Sequence, residues 1–344
     1  MLDSMFREIQ ISIYNKKYYL IIILSLTLLL TPVLVSDRNI SVIAQKEKPS
    51  NSADSNEFNF VAAGDFACDK NAEKTVDGMI GQSPELILAL GDLSYKNSGS
   101  CWIDLFPKKY HDNVKISLGY HDVKAPNGGS KPAKQYMKHF DLDKEYYSFN
   151  YKNVHFLSLS TEIEFEKGSK QYKFVKKDLE KASENENIDW IIVFGYRPLY
   201  SSESQHKGNA DLRSVYHPLF DKYGVDIVLN AHNHNYQRTF PIEYNDGKSH
   251  KPKIINADHD IYSHDDDHGP IFLTVGTGGE SLYPFDDKSK FIAKQIKAYG
   301  FLEIKVKDDP TYGKVLEGYF HKNSKDEIVD SFTLYKDEDS DRFA

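Results

Sequence analysis

Apolar and polar positions along this chain follow two periods. FNFVAAGD from Phe58, ELILALGD from Glu85 and VKISLGYHD from Val114 are short apolar runs, each ending in polar residues. Runs of this length bounded by turn residues read as buried strands. YYSFNYKNVHFLSLST alternates with a period of two and breaks at Tyr151–Asn153, the pattern of a hairpin. DWIIVFGYRP is a further buried strand, and VDIVLNAHNHNYQRT reads as another strand that ends in polar residues. GPIFLTVGTGG, FLEIKV and VLEGYF make the remainder strand-rich. Between these runs, Lys70–Gly81, Lys170–Ser183 and Leu212–Tyr223 carry helical spacing. Strands alternating with helices, without an internal repeat, predict one α/β domain over residues 57–336.

The ends of the chain differ from this body. Within residues 1–36, the uncharged run Tyr18–Ser36 follows Lys16 and Lys17. It exceeds a usual signal-peptide core of about 7–15 residues and lies at the short end of a spanning helix, roughly 17–25. Val42-Ile43-Ala44 offers a cleavage position, so a removed signal peptide and a retained membrane anchor both stay open. Either places the domain outside the cytoplasm, secreted or membrane-anchored. Residues 37–56 read as a polar linker and 337–344 as an acidic tail. Cys68 and Cys101 are the only two cysteines; one disulfide and two buried thiols are both compatible with the sequence. The formal charge of −8 argues against a general nucleic-acid binder, whose affinity comes from clustered Lys and Arg.

The polar ends of the apolar runs carry the chemistry. Five successive runs end at Asp65, Asp92, His121, Tyr196, and His232 with His234. In open α/β sheets, ligands bind beyond the carboxyl ends of strands. Carboxylates and imidazoles gathered there suit iron, zinc or manganese. One such Asp is an ordinary turn residue; five strand ends in succession are not explained by turns.

In order, GDFA, GDLSY, GYHD, VFGY and AHNH resemble the motifs of the calcineurin-like metallophosphoesterases, and Tyr95 of the second makes the chain similar to the purple acid phosphatases. The resemblance extends through RPLYSS and LTVGTGG, from Asn59 to the C-terminal strands. It implies a sandwich of two mixed β-sheets flanked by helices, with the site at one edge. It also implies one or two metal ions: Asp65, Asp92, Tyr95 and His234 on the first, and Asp92 bridging to a second that His232 also binds. His121 and His206 would face the substrate, with His121 donating a proton. Two metals about 3.5–4 Å apart would acidify water and clamp the attacking and leaving oxygens.

The pattern breaks at two positions. Tyr120 stands where the resemblance has an Asn ligand, and Tyr196 where it has a His ligand, both of the second metal. Ala67 and Ala231 replace motif glycines without removing a ligand. Three readings follow: a one-metal enzyme whose Tyr120 and Tyr196 bind the phosphate, a two-metal enzyme with a phenolate ligand, or a fold that binds without turnover. The first expectation is a phosphate-ester substrate hydrolysed outside the cytoplasm. The competing one is a non-catalytic phosphate- or partner-binding surface module. The His- and Asp-rich stretch Asp258–Pro270 reads as a solvated loop, and His111, His139, His155 and His217 as structural or exposed. LTVGTGGE lacks the spacing and Lys of a P-loop, and no Gly-x-Ser-x-Gly elbow is present.

Overall fold

Two seven-stranded mixed sheets pack through a shared apolar core. In this computed structural model the described residues are 56–124, 131–257, 260–264, 268–324 and 327–336. The N-terminal apolar run, nearly all of the polar linker and the acidic tail lie outside them, as does part of the Asp258–Pro270 loop. Among the described residues no helix is long and apolar enough to cross a membrane.

In the first sheet, β1 (Phe58–Ala63), β2 (Leu86–Ala89) and β3 (Val114–Ile116) run parallel. The antiparallel strands β14 (Gly300–Asp309), β15 (Gly313–Lys322) and β16 (Glu327–Lys336) extend it from β1, and β11 (Ile261–Ser263) closes the far edge. In the second sheet, β5 (Val154–Leu159), β6 (Trp190–Gly195), β7 (Ile227–Asn230) and β12 (Ile271–Val275) are parallel. β4 (Tyr147–Tyr151) pairs antiparallel with β5, while β8 (Tyr236–Thr239) and β13 (Ile292–Ile296) complete the other edge. β9 (Ile242–Glu243) and β10 (Lys253–Ile254) form a separate short ladder.

The fully buried strands β2, β5, β6 and β7 are near-continuous apolar runs, as strands covered on both faces require. Between the sheets, Phe60 meets Phe156 edge to face at 5.3 Å. A second core lies on the outer face of the second sheet, under the helices Lys170–Ser183 and Ala210–Lys222. Asp69, Ser169 and Asn209 cap the helices Lys70–Gly81, Lys170–Ser183 and Ala210–Lys222 by accepting first-turn N–H bonds.

Local structure departs from the periodicity in two places. VDIVLNAHNHNYQRT is not one strand: β7 stops at Asn230 and β8 begins at Tyr236, and the intervening residues turn at the sheet edge. GYHD is not a simple loop, because Tyr120–Val123 forms one helical turn. Asp122 stabilises that turn by accepting from the Gly119 N–H at 2.9 Å and, across the site, from the Leu93 N–H at 3.0 Å.

Buried charge pins the sheets together. Arg238 on β8 pairs with Asp330 on β16 at 2.7 Å, and both are nearly inaccessible. Asp226, just before β7, is held by Lys336 of β16 at 3.0 Å and His264 at 2.9 Å, and accepts from the Ile191 N–H at 2.8 Å. The structure resolves the cysteine alternatives too. Cys68 and Cys101 are joined, linking the loops that follow β1 and β2.

Two outcomes follow from these clamps. Closing a loop of 33 residues restricts the unfolded chain, so the Cys68→Ser, Cys101→Ser double variant should lose about 3–4 kcal/mol in denaturant unfolding. Burial works against ionisation of Asp226, but Lys336, His264 and the backbone outweigh it and hold the carboxyl below its ordinary range. Its stabilising contribution is therefore complete above the ordinary carboxylate value near 4 and is lost as pH falls through the depressed value. Asp226→Asn should cost about 2 kcal/mol at pH 7 and flatten the acid limb of stability measured in urea between neutral pH and pH 3.

Candidate functional site

The candidate residues sit where the carboxyl ends of the parallel strands meet at one edge of the sandwich. Among the described residues, five non-glycine positions in the loops there have positive φ: Asp65 at 54°, Ala67 at 65°, Asp92 at 50°, Tyr95 at 54° and His232 at 70°. Each costs on the order of 1 kcal/mol or more, and such strain concentrates at functional sites. Inter-loop backbone bonds hold it in place. Asp65 N donates to Gly91 O at 3.0 Å, Phe66 N to Asp92 O at 3.1 Å, and Glu280 N to Asp65 O at 2.9 Å. Gly64 N donates to Val275 O at 2.9 Å, so a strand of one sheet is stitched to a strand of the other. Gly119 permits a close approach, because a Cβ there would collide with the Asp92 side chain and amide.

At the first predicted metal position, three donors converge. Tyr95 Oη lies 2.9 Å from Asp65 Oδ1 and 3.0 Å from His234 Nε2, and the carboxylate and imidazole are 3.5 Å apart. His234 Nδ1 faces the Ser281 carbonyl at 2.8 Å, so it carries a proton, and Nε2 is the ring atom turned to the cluster. Tyr95 has one hydroxyl proton and Asp65 Oδ1 takes it. Although burial opposes it, Asp65 raises the His234 pKa. Burial holds the Tyr95 phenol far above its ordinary value, and the charges of Asp65 and Asp92 add to this. In donor type, the set suits one cation. It is a carboxylate, a phenol and an imidazole; among the described residues no three His, Cys, Asp or Glu side chains gather to hold a metal.

The second position is built differently. Both Asp92 carboxylate oxygens are already engaged: Oδ1 accepts from the His121 N–H at 2.7 Å, and Oδ2 from the Tyr196 hydroxyl. Tyr196 Oη in turn lies 2.8 Å from His232 Nδ1, and His232 Nε2 lies 3.3 Å from Arg197 Nη1. Arg197 can only donate, so Nε2 must accept. The proton of a neutral His232 is then on Nδ1, which donates to Tyr196, which donates to Asp92. Burial, with the neighbouring His206, pulls His232 down to about 3, which keeps it neutral. Burial and the charges of Asp65 and Asp92 hold the Tyr196 phenol far above its ordinary range. Burial, then Asp122 and Asp65, push Asp92 upward, while the Tyr196 hydroxyl and the His121 amide oppose this. Asp92 and His232, the two residues expected to hold a second metal, are thus joined through a phenol oxygen, and the donor set does not fit that metal.

Above these groups is an open pocket of about 290 Å³ lined by Asp92, Tyr95, Tyr120, His121, Tyr196, His206, His232 and His234. Asp65 lies beneath it, fully buried. The His121 ring lies 4.6 Å from that of Tyr95, tilted by 35°, and burial lowers its pKa. His206 stacks on His232 at 4.0 Å and is placed by paired bonds with Asn233. Tyr120 is 39% exposed, on the rim. The structure adds three residues to those expected from sequence. Tyr283 stacks on His234 at 4.0 Å. Arg197 lines the pocket, clamped by Glu162 through Nε at 2.5 Å and Nη2 at 3.0 Å. Glu162 follows β5, and Arg197 follows Tyr196 after β6, so the strand-end rule applied to LSLSTE and VFGYR could have found both.

Comparison with known proteins agrees with this architecture. The chain is 27% identical over 269 residues to purple acid phosphatase 15 of Arabidopsis thaliana, covering 67% of this chain and 47% of that protein. It is 27% identical over 279 residues to probable inactive purple acid phosphatase 1 of the same plant, covering 74% and 43%. The chain thus spans about half the length of the curated relatives it matches. A purple acid phosphatase from yellow lupin seeds shares the fold, with a TM-score of 0.69 at 23% identity over 83% of this chain and 55% of that one. The family model described as calcineurin-like phosphoesterase matches residues 58–236, just over half of the 344. The sandwich, the strand-end loops and these matches together make the chain a member of the calcineurin-like metallophosphoesterase family, of the purple acid phosphatase-like kind.

Proposed function

We propose that the pocket binds a phosphate ester with the help of a single cation, and that two-metal hydrolysis is not its chemistry. The observation that carries this reading is the Tyr196 hydroxyl, hydrogen-bonded to both Asp92 and His232. Bound at Asp65, Tyr95 and His234, an iron, zinc or manganese ion would supply positive charge to a phosphoryl oxygen. The floor needs that charge. Three carboxyl groups, Asp65, Asp92 and Asp122, are buried at this floor and in ionised form offer an anion no donor. The volume, about 290 Å³, sits at the lower end for small-molecule sites. It suits a phosphate group and a modest ester substituent.

A second reading is slow hydrolysis by one metal. The convergence of Asp65, Tyr95 and His234 favours it, with His121 in the pocket to give a proton to a leaving group. The relatives include a purple acid phosphatase and a probable inactive one, which supports neither reading over the other. For location, we place the domain outside the cytoplasm. The apolar N-terminal run and the Cys68–Cys101 bond support that placement, since disulfides persist in oxidising compartments.

Calorimetry of the purified full chain with inorganic phosphate tests the binding reading. Phosphate should bind in the presence of manganese or zinc, and binding should vanish after chelation. Asp65→Asn should weaken that metal-dependent binding at least tenfold. Wild type and Asp92→Asn should hydrolyse a chromogenic phosphate monoester at the same background rate. Turnover that is clearly above background in wild type and lost in Asp92→Asn would establish the hydrolytic reading instead.

A further inference from the structure

Losing a metal from a site of this kind removes two things: a link between its ligands and a concentration of positive charge facing the substrate. The residues around Tyr196 supply one of each. We infer that Tyr196 and Arg197 together take the place of a second metal, Tyr196 by joining Asp92 to His232 and Arg197 by presenting its guanidinium to a phosphate oxygen. The Arg197 half rests on the phosphate reading above; the Tyr196 half does not.

The Tyr196 half rests on proton order. Arg197 Nη1, His232 Nε2 and Nδ1, Tyr196 Oη and Asp92 Oδ2 form one chain in which each group has a partner of the opposite kind. The His121 amide satisfies the other Asp92 oxygen. Buried polar groups left unpaired are costly, and here none of these needs an ion to be paired. A metal entering this position between Asp92 and His232 would have to break the Tyr196 bonds to both.

For Arg197, the argument is directional. A guanidinium carries five N–H donors in a fixed fork. Glu162, its side chain 5% exposed, takes one from Nε and one from Nη2, and His232 takes one from Nη1. Two donors remain. The group is fixed from behind and lines the pocket. The rings of Tyr120 and Tyr196 lie 5.8 Å from its central carbon and limit its swing. A planar donor pair held this way is suited to phosphate, which arginine binds through paired N–H bonds.

Three measurements on the full chain decide the inference. In nitrogen NMR of the metal-free protein, His232 should be the Nδ1–H tautomer; an Nε2–H tautomer overturns the proton order. Metal analysis after incubation with excess zinc should give one ion per chain in wild type and two in the folded Tyr120→Asn, Tyr196→His variant. A wild-type value of two, or a folded double variant that stays at one, overturns the replacement. Should that variant not fold, Tyr196→Phe keeps the ring and removes the hydroxyl. With Asp92 and His232 no longer joined, it should take up zinc beyond one ion per chain, and a count that stays at one counts against the inference. Finally, Arg197→Met should weaken inorganic phosphate binding at least tenfold with zinc present, and Arg197→Lys should recover part of the loss as a point charge without the fork. Equal affinity in Arg197→Met and wild type overturns the Arg197 half alone. No phosphate binding by wild type overturns that half together with the phosphate reading, while the tautomer and metal count still judge Tyr196.

Discussion

The Tyr196 hydroxyl, placed between the Asp92 carboxylate and the His232 imidazole, is the contact on which the chemistry of this site turns. A bare carboxylate and a bare imidazole a few ångströms apart are an invitation to a divalent ion. The same two groups joined through a phenol are a closed hydrogen-bond chain. Low surrounding dielectric strengthens each bond in such a chain and makes breaking any of them expensive. Arg197 gives the chain its direction, because a guanidinium has no lone pair to offer. Glu162 in turn holds Arg197. The neighbouring first position also has a phenol between a carboxylate and an imidazole, Tyr95 between Asp65 and His234, but there no guanidinium sets the direction and the ring's other nitrogen gives its proton to the Ser281 carbonyl.

That asymmetry depends on a frame that tolerates strain. Asp65, Asp92, Tyr95 and His232 all sit in left-handed backbone, where a side chain with a Cβ is disfavoured. Without opposing restraints these loops would relax and the donors would separate. The restraints come from both sheets: the Gly64 to Val275 bond, the disulfide between the loops after β1 and β2, and the buried ion pairs Arg238–Asp330 and Asp226–Lys336. Buried ion pairs are weak sources of net stability, but they penalise any packing in which one partner loses the other. They fix the two sheets in one relation, so that strand ends from each can share a pocket. Ala67, standing where the resemblance has a glycine, keeps the positive φ despite its Cβ, and so the loop geometry has outlasted the residue that most easily adopts it.

Much of this frame could be read directly from the chain, because its signals are local. The helices Lys70–Gly81 and Lys170–Ser183 carry their own periodicity and their own caps at Asp69 and Ser169, and the structure gives them the same bounds. The apolar strands and their polar ends were equally legible, and the residues singled out at those ends surround one pocket. What escaped was relational. AHNHN looked like the tail of one long strand because nothing local marks where β7 leaves the ladder and β8 joins it. Substitution of Tyr196 for a ligand was visible, but not the direction of its hydroxyl, which depends on Asp92 more than 100 residues earlier. Glu162 and Arg197 were passed over because neither is a metal ligand type in the expected order. Their pairing is apparent only once β5 and β6 lie side by side.

Membership in a hydrolase family therefore constrains the scaffold more tightly than it constrains the reaction. Identities near 27%, over matches that cover less than half of each relative, leave ample room for individual side chains to differ while the strands remain. Here the changes fall on one half of the site and are mutually consistent. Tyr196 needs a buried acceptor and finds Asp92; His232 needs a partner for Nδ1 and finds Tyr196; Arg197 needs an anchor and finds Glu162. Random loss of ligands would leave buried polar groups without partners, and a buried carboxylate stripped of its ion would be the costliest of them. Instead the groups that a second metal would have satisfied are satisfied by one another, while a donor fork still lines the pocket. The fork that Glu162 holds at the pocket wall is the one feature of this half that mutual hydrogen bonding does not require, and the proposed recognition of an anion rests on it.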